Sequence, residues 1–251
     1  MINMHLNVEG IRTNYVDINL KGSKTIVILH GWASSLSFWL PVAQLLSPKW
    51  HIVSLDLPGF GLTPPIDDTP DIPEYTHFVR SFTKKLKLKK FILIGHSFGG
   101  QIALDYALRF PTDLITLILV APAAIRERSR ILKLKLRITN AVKPFLSRSS
   151  YNYLEQYLGW YTPTDYSYAN EYQKKVLQKI VKYNLKPLLH LLSVPTDIIW
   201  GSLDIVIPNT GKYLANKISR SRLHIISGAN HLINLTHPKE LAKVIDGILK
   251  S

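Results

Sequence analysis

A chain of 251 residues, 46% hydrophobic and 19% charged, holds enough apolar material for one domain with an insertion, which excludes a disordered polypeptide. It has no cysteine, so disulfides, thiolate-held metals and a cysteine nucleophile are excluded. A formal net charge of +14 admits an anionic partner, but no nucleic-acid-binding module is recognisable and no run approaches the ~18 apolar residues of a membrane span.

The N-terminal residues Met1 to Leu6 lack the basic segment and apolar stretch of a signal peptide, so a soluble cytoplasmic protein is the expectation. The first twenty residues read as an antiparallel hairpin. Apolar runs bounded by turns then alternate with helical patterns. Strands are expected at 25–29, 51–55, 91–94, 117–120, 197–200 and 223–226, with helices near 39–46, 75–86, 98–109, 210–217 and 238–249. Several of these strands are apolar throughout, as strands covered on both faces should be. The pattern predicts an α/β fold with a mostly parallel central sheet and helices on both faces. Between 122 and 192 the strand rhythm disappears and the chain becomes helical by pattern and rich in tyrosine. This stretch reads as a helical cap inserted between core segments 1–121 and 193–251.

Chemistry enters at Gly95-His96-Ser97-Phe98-Gly99, which follows the expected strand at 91–94 and opens the expected helix at 98–109. Strand, G-x-S-x-G and helix together form a nucleophile elbow: the sharp turn projects the serine hydroxyl while the following helix aims its N-terminus at developing negative charge. A serine nucleophile needs a base, and the base an orienting acid, following in the order serine, acid, histidine. After the 197–200 strand comes Gly201-Ser202-Leu203-Asp204, and after the 223–226 strand comes Ser227-Gly228-Ala229-Asn230-His231. Both loops fall at the strand ends where such sheets gather their catalytic groups. The candidate triad is Ser97, Asp204 and His231. His237 directly precedes Pro238 at the start of the last helix and reads as a helix-start residue. Asp56 precedes the nucleophile in the chain and reads as a loop-fixing residue. His96 reads as a packed neighbour of the serine. The other strand end that sometimes carries the acid is Ala121-Pro122-Ala123-Ala124, which has no carboxylate. For the oxyanion, the backbone N–H of Phe98 and that of Trp32, in His30-Gly31-Trp32-Ala33, are the candidate donors.

These segments, with Asp56-Leu57-Pro58-Gly59-Phe60-Gly61 and Pro195-Thr196-Asp197, resemble the α/β-hydrolase superfamily along nearly the whole chain. The resemblance implies acyl transfer to water through an acyl-serine, with no metal and no cofactor. Serine at position 97 separates the chain from the dehalogenase and epoxide-hydrolase branches, which carry aspartate there. His30-Gly31-Trp32-Ala33-Ser34-Ser35 with Phe38-Trp39, and His231 through Pro238, look most like the pimeloyl-carrier-protein methyl ester esterase group, although Asn230 replaces the small residue usual before the histidine. A carboxylesterase acting on a small-molecule ester is the reading. A lipase-like or lactone-cleaving hydrolase with the same triad, and a ligand-binding receptor with little turnover, are its alternatives.

The cap carries 13 Lys/Arg against 4 Asp/Glu. At 100° per residue Arg126, Arg130, Lys133 and Arg137 fall in one stripe, either a solvated helix face or a docking surface for an acidic carrier protein or anionic lipid. The run Lys84 to Lys90 reads as solvated surface at the sheet edge away from Ser97. The tyrosines at 151, 153, 157, 161, 166, 168 and 172, with Trp160, either line an acyl tunnel or pack the cap on the core.

Overall fold

The structure is a computed structural model that describes residues 3–66, 68–125, 169–207 and 210–250. The basic stripe from Arg126 to Arg137, Trp160 and the tyrosines from 151 to 168 lie outside the described residues.

Strands β1 (Met4–Val8) and β2 (Ile11–Ile18) form the expected antiparallel hairpin. Glu9 and Gly10 join them with positive φ at both positions, as a two-residue turn matching the twist of its strands requires. In chain order there follow β3 (Thr25–Leu29), α1 (Leu40–Leu46), β4 (His51–Leu55), α2 (Ile72–Lys85), β5 (Phe91–His96), α3 (Phe98–Arg109) and β6 (Leu114–Val120). The second half adds α4 (Glu171–Ile180), β7 (Thr196–Gly201), α5 (Gly211–Lys217), β8 (Ser221–Ile226), α6 (Ile233–Thr236) and α7 (Pro238–Lys250).

The eight strands form one sheet in the order β1-β2-β4-β3-β5-β6-β7-β8. From β4 to β8 every pairing is parallel. The inner strands bury both faces. Val27 and Leu29, Leu93, and Leu117 and Leu119 join one core with α2 and α3, while Ile26 and Ile28, Ile92 and Ile94, and Ile118 and Val120 join a second core with α1 and α7. This explains the unbroken apolar runs: alternation persists in direction but not in polarity.

α2 begins three residues before the expected position. Asp71 accepts from the Glu74 backbone N–H and the Glu74 carboxylate accepts from the Asp71 backbone N–H, a capping box that starts the helix at Ile72, the first residue of its buried face. A similar box at Asn170 and Gln173 starts α4.

Candidate active site

The elbow owes its shape to close approach of β5 and α3. A Cβ added at Gly95 would lie 2.3 Å from the Gly99 carbonyl oxygen, and one at Gly99 would lie 2.5 Å from the carbonyl oxygens of both Leu29 and His30. Only glycine fits at either flank. Between them Ser97 is forced to φ 51°, ψ −112°, a left-handed conformation costing about 1–3 kcal/mol in a non-glycine residue. Surrounding hydrogen bonds hold it there. Ser97 N–H donates to the Val120 carbonyl at 3.0 Å, and the Ser97 carbonyl accepts from Gln101 N–H at 3.1 Å and Ala123 N–H at 2.9 Å.

Asp204 and His231, 27 residues apart, meet in a hydrogen bond from His231 Nδ1 to Asp204 Oδ2 of 2.8 Å. The Asp204 side chain is fully buried and that of His231 is 10% exposed. The other Asp204 oxygen accepts the backbone N–H groups of Val206 at 2.9 Å and Ile207 at 3.2 Å, so the carboxylate is fixed by its own loop and aimed at the imidazole. With Nδ1 committed to the acid, Nε2 is the nitrogen left for proton exchange. Asn230 folds the approach to His231: its side-chain oxygen accepts from Leu232 N–H at 2.9 Å and from the Thr236 hydroxyl at 3.3 Å.

Other candidates separate cleanly. His237 is tied to the Thr236 hydroxyl at 2.9 Å, where α6 hands over to α7, and does not line the pocket of Ser97. Asp56 is buried and accepts from Leu36 N–H at 2.7 Å, Leu62 N–H at 2.8 Å and the Asn14 amide at 2.7 Å. These bonds tie the loop after β4 to strand β2 and to the segment that follows β3. His30 is held neutral by burial, with Nδ1–H donating to the Gly31 carbonyl at 2.7 Å and Nε2 accepting from Leu57 N–H at 3.0 Å. His96 is also buried, and burial with the neighbouring His231 pushes its pKa down to about 3.

Ser97, His231, Trp32 and Phe98 all line one pocket of about 360 Å³, within the size range of small-molecule sites. Its walls are mainly apolar, including Phe38, Leu177, Ile180, Val206 and Ile207. The sequence reading missed these wall residues, although Leu177 and Ile180 on α4, with Val181 capping its C-terminus, are spaced as one helix face. α4 is pinned to the core beside the pocket. The Trp32 indole N–H donates to the Gln173 carbonyl at 3.0 Å, and the Gln173 amide donates to the Gly59 carbonyl at 3.1 Å. Tyr172 packs against Gly59 and accepts from Ile66 N–H at 3.3 Å, so this tyrosine anchors α4 and does not line the pocket.

Among the described residues no group of three or more His, Asp or Glu side chains is arranged to hold a metal ion, and no helix is long and apolar enough to cross a membrane. The arrangement brings a hydroxyl, an acid-oriented imidazole and an apolar chamber into one place, which suits nucleophilic attack on a carbonyl.

Comparison with known proteins agrees with this architecture. A monoacylglycerol lipase, ABHD6 of Mus musculus, is 30% identical over 254 residues, spanning 90% of this chain and 76% of the relative. Among solved structures, a membrane phospholipase A described as a bacterial virulence factor superposes with a TM-score of 0.81 at 22% identity, covering 99% of this chain and 86% of that one. The enol-lactonase from Burkholderia xenovorans LB400 superposes with a TM-score of 0.78 at 20% identity, covering 99% and 100%. At these identities the two structures establish the fold alone. The model of the alpha/beta hydrolase family matches residues 26–244, from β3 into α7, and the chain therefore belongs to that family.

Proposed function

We propose that this hydrolase cleaves carboxylic esters through an acyl-serine intermediate. Ser97 Oγ attacks the ester carbonyl as His231 Nε2 takes its proton. The backbone N–H groups of Trp32 and Phe98 hold the oxyanion, and His231 returns the proton to the departing alcohol. Water then repeats the cycle on the acyl-enzyme. Asp204 holds the imidazole in one tautomer and stabilises the imidazolium. One observation carries the reading: the buried Asp204–His231 hydrogen bond opens onto the same pocket as a serine held at φ 51°.

The apolar chamber favours an ester with a hydrocarbon acyl chain, and the relative named a monoacylglycerol lipase supports a lipid ester as the substrate class. We assign residues 122–192 as a lid, with α4 supplying Leu177 and Ile180 to the wall, and a cytoplasmic location completes the proposal. The decisive experiment follows nitrophenyl ester hydrolysis and fluorophosphonate labelling together. Sustained turnover, label on Ser97, and loss of both in Ser97→Ala are expected. Loss of the serine should lower turnover by on the order of 10⁶, as in a subtilisin protease. A stoichiometric burst followed by arrest would instead identify a ligand-binding receptor, and label on another residue would remove Ser97 from its role.

A further inference from the structure

Asp204 fixes the rotation of the His231 ring, but something must also fix the main chain that carries it. That contact comes from His96. This residue ends β5, directly before Ser97, and is only 3% exposed. Its Nε2 lies 2.9 Å from the His231 backbone carbonyl, which can only accept, so Nε2 carries the proton and donates. The two imidazoles lie with centroids 5.0 Å apart and planes tilted by 42°. On its other side the ring faces the oxyanion loop: a Cβ added at Gly31 would lie 3.0 Å from His96 Nδ1. The Trp39 ring meets it edge-on with centroids 6.3 Å apart. One buried ring is therefore wedged between the loop carrying the base and the loop carrying the oxyanion donor, while its backbone is bonded to the nucleophile.

We propose that His96 is a positioning residue, whose Nε2–H···O=C bond to His231 sets the spacing between the base, Ser97 and the oxyanion loop. This rests on the reading of Ser97 and His231 as nucleophile and base. A simple filler of the same volume would pack against Gly31 but leave the His231 carbonyl unheld. Charge supports the role as well. The ionisable groups around the ring are His231, Asp204 and His30, and burial outweighs the pull of Asp204, keeping His96 neutral. It therefore adds no repulsion when His231 becomes imidazolium during turnover.

The test compares three variants of the 251-residue chain. His96→Gln places an amide N–H where Nε2 stood, His96→Asn carries the same amide too short to reach, and His96→Leu fills space without donating. Each is measured for kcat, KM, fluorophosphonate labelling rate and melting temperature. His96→Gln is expected to recover most of the wild-type kcat. His96→Asn and His96→Leu should lose roughly 10- to 100-fold in kcat and labelling rate, the scale of a small misplacement of reacting groups, with KM nearly unchanged. If His96→Leu does not fold, the Gln and Asn pair still decides. Equal activity in those two, losses that follow melting temperature instead of donor reach, or an effect confined to KM would each overturn the proposal. Absence of label on Ser97 in the wild-type protein would overturn the underlying catalytic reading, whereas normal wild-type labelling with indifferent His96 variants would overturn this inference alone.

Discussion

Each oxygen of Asp204 has a separate task, and this gives sharp expectations for single substitutions. Oδ2 receives the His231 Nδ1 proton and Oδ1 is held by two backbone N–H groups. Asp204→Asn preserves volume but can present an N–H where an acceptor is needed, favouring the wrong imidazole tautomer. On the proposed mechanism turnover should fall by about 10⁴-fold, as for the corresponding change in a serine protease, with little loss of stability. His231→Ala should be more damaging, since it removes the proton carrier itself. His237→Ala should be mild, because that ring bonds only to the neighbouring threonine among the contacts described above and stands outside the pocket. Steady-state kinetics on the three purified variants checks the order. A larger kcat loss in His237→Ala than in His231→Ala, at equal melting temperature, would assign the base to the wrong loop.

Among the elements, the junction of β5 with α3 has little tolerance for added volume. Gly99 sits where the helix crosses the end of β3, and a methyl group there would meet two backbone oxygens at 2.5 Å, neither of which can swing away as a side chain would. Gly99→Ala should cost about 1–3 kcal/mol or more, as overpacking does. That corresponds to a fall of at least about 2 °C in melting temperature for a chain of this size. An unchanged melting temperature would mean that the elbow is looser than described. This junction was fully legible in the sequence, because the motif and its flanking strand and helix constrain one another. The parallel strands were legible for a related reason: runs such as Phe91 to Ile94 are apolar on both faces, which few other elements require. The start of α2 also lay in the sequence, in the capping-box spacing of Asp71 and Glu74, Pro73 in the first turn and Ile72 on the buried face, a signal that apolar periodicity counted from Tyr75 passes over. The short α6 escaped notice because four residues carry no periodic signal. The pocket walls were also hidden, since Phe38, Leu177 and Val206 come from three distant segments and read locally as ordinary apolar residues.

The whole molecule should register its buried histidines as acid sensitivity. In the folded chain burial lowers the pKa of both His30 and His96, the latter to about 3, whereas an unfolded imidazole titrates near 6.5. Above about pH 6.5 neither state binds a proton at these positions, and the two rings contribute no pH dependence. Below it the unfolded chain takes up protons that the folded chain refuses, so stability falls as pH falls. For His96 the window runs from about 6.5 down to about 3. Each ring adds a slope of up to about 1.4 kcal/mol per pH unit. Carboxylates shared by all variants shape the rest of the curve, so the informative quantity is a difference. Urea denaturation of wild type and His96→Gln between pH 7 and pH 4.5 should show the variant losing stability less steeply, by about one proton's worth of slope, because glutamine cannot titrate. Parallel curves would mean that His96 accepts a proton within the folded protein, which would also remove the neutral partner that His231 is held to have.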